Sequence, residues 1–185
     1  MILCAGNGEV FPYATPIGVG LVESAIALTE LVVKERPKFL LFIGTAGSYG
    51  KKDIFDIIAS RSACNIENSF FSSSAYTPID NFITTSEDVS RETIVNSSNY
   101  ISTDFSIGKN YIEKNIHIEN MEFFSVMSVA KRFNLPSGGL FVVTNYCNEN
   151  AHNDFKKNQP KALRLLDRYI QENRDKLFIN LTNGK

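Results

Sequence analysis

Residues 121–145 read MEFFSVMSVAKRFNLPSGGLFVVTN, and this stretch decides the fold. Phe123, Val126, Ala130 and Phe133 recur at helical spacing, so one face of a helix is predicted to be buried. Ser125, Ser128 and Arg132 fall on the opposite face. Pro136 is expected to stop the helix, and Gly138-Gly139 to open the next element. Leu140, Phe141, Val142 and Val143 form an unbroken apolar run, as in a strand covered on both faces. Polar groups flank the apolar block: Met121-Glu122 at the helix start and Thr144-Asn145 at the strand end. In open α/β sheets ligands bind outside the carboxyl ends of the strands, which is where Thr144 and Asn145 would lie.

Working outward, strands are predicted over 2–5, 38–44, 54–60 and 100–107, with a further one over 10–15. Helices are predicted over 16–33, near 88–96 and over 158–173, the last with Pro160 in its first turn. In the first helix Leu21, Ala25, Leu28 and Val32 make an apolar stripe, and Glu23, Glu30 and Lys34 share the other face. Residues 65–74, rich in Ser and Asn, suggest no particular element. Strands alternating with helices predict an α/β fold with a mostly parallel sheet. The 185 residues suit a single domain spanning 1–185.

A net charge of −1 gives no electrostatic footprint for nucleic acid or an anionic membrane. No apolar run is long enough to span a bilayer, and no secretory leader is recognisable at Met1. The three cysteines, Cys4, Cys64 and Cys147, are odd in number and lack metal-ligand spacing. Free thiols and a cytoplasmic location are expected. His117 and His152 are isolated from other metal-ligating residues, so no metal is expected.

Two segments carry a family resemblance. The Met121-Glu122 pair, followed across a helix and a strand by Thr144-Asn145, resembles the nucleoside phosphorylase and nucleosidase superfamily. So does the segment from Ile17-Gly18-Val19-Gly20 to Gly44-Thr45-Ala46-Gly47, a strand running into a turn of small residues. The resemblance implies a mixed, mostly parallel central sheet flanked by helices. It also implies cleavage of the bond between ribose and a purine. By this likeness Met121 and Glu122 hold ribose, Thr144 and Asn145 hold the purine, and Thr45, Ala46 and Gly47 line the site. Phe105 is the aromatic expected to stack near the base.

The chemistry of these residue types fits those roles. A carboxylate accepts from both hydroxyls of a ribose diol, which suits Glu122. A helix N-terminal acid favoured by the macrodipole is the alternative for the same residue. Asn145 can donate to a purine N7 or O6 but cannot act as an acid, and a turn Asn closing the strand is its alternative. Asn at this place resembles the branch that prefers 6-oxopurines, so inosine or guanosine is the expected substrate and phosphate the expected co-substrate. Phosphorylases of the family hold phosphate with arginines, but here Phe42 and Val10 occupy the matching positions; nucleosidases place an Arg near the attacking water, and Phe141 occupies that position. Backbone N–H groups at Gly6 and Thr45, helped by Arg61 or by an Arg of a neighbouring subunit, are left to bind phosphate. Glu9 matches the base of the nucleosidases. Phosphorolysis is therefore the leading expectation. Hydrolysis and a silent nucleoside-binding relative are the alternatives, and a homo-oligomer is implied by the family.

Overall fold

The computed structural model describes residues 1–86 and 92–182, with side chains through residue 174. Its centre is a pair of long parallel strands, β3 (Leu40–Ser48) and β9 (Ser137–Tyr146), hydrogen-bonded along their whole length. Both lie where the sequence is continuously apolar. Alternate residues of the two strands feed two separate cores, as the period of 2 requires. Leu40, Phe42, Phe141 and Val143 pack with Leu28, Val32, Val126 and Met127, which come from helices α1 (Leu21–Glu35) and α4 (Phe123–Phe133). Leu41, Ile43, Leu140 and Val142 pack on the other side with Ala162, Leu166 and Ile170 of helix α5 (Ala151–Thr182).

The sheet extends on both sides of this pair. Strands β1 (Ile2–Cys4) and β2 (Thr15–Pro16) continue it in parallel beyond the first half of β3. Strand β4 (Ile57–Ser60) lies antiparallel to β9. Strand β5 (Ser62–Cys64) follows, then α2 (Asn68–Phe71) and β6 (Phe82–Thr84). Beyond β7 (Ile94–Asn96) come α3 (Gly108–Ile112) and β8 (Ile116–Glu119), whose end pairs antiparallel with the end of β3. The order is β2-β1-β3-β8-β7-β5-β6, with β9 and β4 branching from β3. This is the mixed, mostly parallel α/β sheet that the sequence predicts.

Several expectations are corrected. The first helix begins at Leu21 rather than at residue 16, because Gly20 adopts φ 85, outside helical space. Ser125 is buried rather than exposed: α1 crosses α4 there, and the Ser125 hydroxyl donates to the Leu21 carbonyl at 2.7 Å. Helix α4 ends at Asn134, in the left-handed region at φ 54, before Pro136 is reached. Helix α5 starts at Ala151, so Pro160 lies inside it and forfeits one helical hydrogen bond. Of the helix expected over 88–96, Ile94–Asn96 is strand β7, and residues 88–91 lie outside the described residues. The strand expected over 10–15 shrinks to β2. Among the described residues, no helix is long and apolar enough to cross a membrane.

Candidate active site

A cavity of about 260 Å³ opens where β1, β3, β8 and β9 end. Glu9 reaches it through a tight turn. Gly6, Asn7 and Gly8 all have positive φ (83, 49 and 99), and the Glu9 N–H closes the turn on the Gly6 carbonyl at 3.0 Å. The chain thus doubles back and delivers the Glu9 carboxylate to Thr45. Its Oε2 accepts the Thr45 N–H at 3.0 Å, and its Oε1 accepts the Thr45 hydroxyl. Gly44 makes room for this approach: a Cβ there would stand 2.9 Å from Glu9 Oε2. Burial raises the Glu9 carboxyl above the ordinary carboxylate range, and the two Thr45 donors pull it partly back.

Glu122 enters from the start of α4. Asn120 positions that start, its Oδ1 accepting from the N–H groups of Glu122 and Phe123, both at 2.9 Å. The Glu122 carboxylate does not fold onto its own helix. It accepts the Gly20 N–H at 3.0 Å, the first donor of helix α1. Burial pushes its pKa up to about 7; the Gly20 N–H opposes the shift and the charge of Glu9 adds to it. Two carboxylates with raised affinity for protons thus face one cavity.

Asn145 arrives from the end of β9, where the ladder with β3 slips. Ala46 pairs with Val143 but Gly47 pairs with Asn145, so Thr144 is an extra residue in the strand. A bulge of this kind re-aims side chains, and both Thr144 and Asn145 line the cavity. The Thr144 hydroxyl lies 2.8 Å from Asn145 Oδ1, and Asn145 Nδ2 donates to the Tyr146 carbonyl at 3.1 Å. An amide nitrogen carries two hydrogens, so one remains for a ligand. Gly47 leaves space for the amide, since a Cβ there would meet Asn145 Nδ2 at 3.1 Å.

Glu119 is a third lining carboxylate, and the sequence reading missed it. It stands at the carboxyl end of β8, two residues before Met121. Its Oε2 accepts the Tyr49 hydroxyl at 2.9 Å and the Ser102 hydroxyl at 2.6 Å, and its Oε1 accepts the Ser102 N–H at 2.9 Å. An acid at the end of the alternating Ile116-His117-Ile118, two residues before Met121-Glu122, was the available signal. Asn120 was missed too, although an Asn just before a helix is a cap signature.

Of the other residues singled out from sequence, Gly6, Thr45, Ala46, Gly47 and Met121 line the same cavity as Glu9, Glu122, Thr144 and Asn145. Phe105 does not. Residues 100–104 form no strand, because Asp104 accepts from the Ser106 N–H and starts a 3-10 turn, Phe105–Ile107. Phe105 packs over Gly50 and stays 54% exposed. Tyr100 and Ile101 supply the wall instead, and His152 with Phe155 of α5 completes it. His117 is buried away from the site. Its Nδ1 lies 3.3 Å from the Thr93 hydroxyl, and burial, with the charges of Lys51 and Lys52, lowers its pKa to about 4.

Two of the three positions where arginines would be expected belong to the core. Phe42 and Phe141 are fully buried and, with Phe123, form an aromatic cluster whose centroids lie 5.9, 6.4 and 5.0 Å apart. Val10 is exposed. None of the described residues lining the cavity is Lys or Arg.

Residues 3–172 match the family model described as the phosphorylase superfamily, and the chain belongs to that family. No curated protein matches the sequence. Among solved structures it is similar to a Helicobacter pylori 5'-methylthioadenosine/S-adenosylhomocysteine nucleosidase. The TM-score is 0.78 at 17% identity, over 95% of this chain and 97% of that one. It is equally similar to the futalosine hydrolase of Helicobacter pylori, with a TM-score of 0.78 at 18% identity over 95% and 96% of the two chains. For the 5'-methylthioadenosine/S-adenosylhomocysteine nucleosidase of S. pneumoniae the values are 0.71, 13%, 90% and 94%. At these identities the likeness speaks for the fold.

Proposed function

We propose that this protein is a nucleoside hydrolase that cleaves the N-glycosidic bond of purine ribosides with water. The observation that carries the proposal is the seat of Glu9. Its carboxylate holds both the N–H and the hydroxyl of Thr45, the donors a phosphate would need. A second anion at that place would meet Glu9 and Glu122 with no described Lys or Arg among the lining residues to offset the repulsion. The phosphorolysis expected from sequence therefore has less support than hydrolysis. The similar solved structures, two nucleosidases and a futalosine hydrolase by name, agree with water as the acceptor.

In this reading Glu9 is the general base. It takes a proton from water as the oxygen bonds to the anomeric carbon and the C1′–N bond breaks, its electron pair leaving with the base. The transition state carries positive charge on the ribose, and negative charge on Glu9 and Glu122, which both line the cavity, would stabilise it. Glu122 accepts from the ribose hydroxyls, with Met121 beside it. Asn145 donates its remaining amide hydrogen to the purine. Incubation with inosine, with and without phosphate, tests the proposal. Free ribose at a phosphate-independent rate is expected; ribose 1-phosphate formed only with phosphate refutes it.

A further inference from the structure

We infer that Glu119 is a positioning residue: from inside the cavity it fixes the Tyr100–Ile101 wall where substrate binds, acting through Ser102. The inference deepens the hydrolase reading above, on which its kinetic part rests. Between the end of β7 at Asn96 and the 3-10 turn at Phe105 the chain forms no regular element. Among the described residues, 98–103 make no backbone–backbone hydrogen bond. Tyr100 and Ile101 nevertheless form part of the cavity wall. Both side chains are exposed, and neither belongs to one of the hydrophobic cores. A segment without a backbone ladder or core packing opens easily, so the place of this wall depends on side-chain bonds.

Two such anchors bracket the pair. On one side Asn99 Oδ1 accepts the Leu21 N–H at 2.8 Å, next to the Gly20 N–H that Glu122 accepts. On the other side Glu119 takes both donors of Ser102, the N–H at 2.9 Å on Oε1 and the hydroxyl at 2.6 Å on Oε2. Hydrogen bonds to a carboxylate are roughly twice as strong as neutral ones, and a two-point grip fixes direction as well as distance. Glu119 is itself held. It pairs with Gly47 in the ladder between β3 and β8, and the Tyr49 hydroxyl donates to its Oε2 at 2.9 Å. Tyr49 is buried, and its ring stacks on Tyr111 with centroids 4.2 Å apart. The contacts thus run from a buried ring, through a carboxylate, to an exposed wall.

Glu119 also stands at the end of the cavity that holds Asn145. A Cβ on Gly47 would be 3.4 Å from Glu119 Cγ and 3.1 Å from Asn145 Nδ2. The wall is therefore set against the Asn145 end through Ser102 and against the Glu122 seat through Asn99. Without the Ser102 grip the wall is in place for only a fraction of the time, and apparent affinity falls by that fraction. Bound substrate holds the wall in place again, so the chemical step keeps its rate. A raised KM with kcat preserved is the signature of this role.

The experiment combines residue-resolved amide exchange with kinetics on Glu119→Ala, Glu119→Gln, Ser102→Ala and the Glu119→Ala/Ser102→Ala double variant. In the wild type without substrate, the Ser102 amide is expected to be protected at least about tenfold more than that of exposed Thr103. Glu119→Ala should abolish that protection while the Phe42 and Val142 amides of the central strands keep theirs. With inosine, Glu119→Ala is expected to raise KM at least about tenfold and to leave kcat within about threefold. Glu119→Gln keeps one acceptor and should fall between. Ser102→Ala loses only the hydroxyl bond, so it should raise KM less, and it should add nothing in the Glu119→Ala background. Ser102 is only half-buried, so its variant carries the kinetic test even where Glu119→Ala fails to fold. An unprotected Ser102 amide in the wild type, or an unchanged KM in Ser102→Ala, would overturn the inference. So would a fall in kcat at constant KM in Glu119→Ala, which would make Glu119 a group acting on substrate directly. If no riboside is cleaved, the hydrolase reading fails while amide exchange still decides the grip: protection lost in Glu119→Ala supports it, and protection retained overturns it.

Discussion

Glu122 and His117 titrate in overlapping windows with opposite consequences. In the unfolded chain Glu122 loses its proton near 4.5, and in the folded protein near 7. Between those values the native state holds a proton that the unfolded state has lost, so stability falls as pH rises through the window. Replacing Glu122 with Gln removes that decline, worth up to about 3 kcal/mol. His117 works the other way: its pKa drops from 6.5 to about 4, so the stability it contributes is present above 6.5 and is lost as pH falls toward 4. The difference between wild type and Glu122→Gln therefore isolates the carboxylate. Urea unfolding at about pH 5 and about pH 8 should show the variant gaining on the wild type as pH rises; a constant gap would contradict the assignment. For Glu9→Gln, a fall in kcat of roughly 10²–10⁴-fold is expected, since the base is removed while Thr45 keeps an acceptor. Unchanged kcat in that variant would remove Glu9 from the chemistry. At this scale the place of Glu122 and Asn145 at the cavity was legible from sequence because polar groups flank the apolar block at both ends. Glu119 was not, because its partners Tyr49 and Ser102 are remote in the chain and only the fold brings them together.

Elements were legible in proportion to how much of their sequence is buried. β3 and β9 are covered on both faces, so their apolar runs announce them, although β9 extends past the run at both ends. The strand expected over 100–107 failed for the opposite reason. Its residues are largely exposed, and local bonds, Asp104 to Ser106 and Ser102 to Glu119, decide its path. The start of α5 was placed late because Pro160 reads as a first-turn residue when the packing of Ala151 cannot be seen. The β9 bulge left no trace in composition, yet it brings Thr144 and Asn145 to one cavity. Gly138-Gly139 looked like a turn opening a strand, but Gly139 lies within β9 against the aromatic cluster. A Cβ at Gly139 would come within 2.5 Å of Phe141 and 2.7 Å of Phe123. Gly139→Ala is therefore expected to destabilise the protein by about 1–3 kcal/mol through overpacking, measured as a lower urea midpoint. A midpoint equal to the wild type would show that the aromatic cluster yields freely.

Among the described residues, helix α1 leaves an apolar stripe uncovered. On α1, Val22 is 66% exposed and Ile26 is 58% exposed, beside Val19 at the cavity rim. Such an exposed apolar stripe marks an interaction surface, and Val19 and Met121 line both the groove beside it and the candidate active-site cavity. We propose that a second copy of the chain packs on this stripe, forming the homo-oligomer expected from the family resemblance. Val22→Glu with Ile26→Glu should shift the wild-type species to monomer in light scattering, and a wild-type protein that is monomeric throughout would contradict this. The central claim concerns Glu9, and the identity of the sugar product tests it most directly. Cleavage in ¹⁸O-labelled water, with phosphate present, should yield ribose labelled at C1 and no sugar phosphate. Unlabelled ribose 1-phosphate as the product would show that phosphate, not water, attacks.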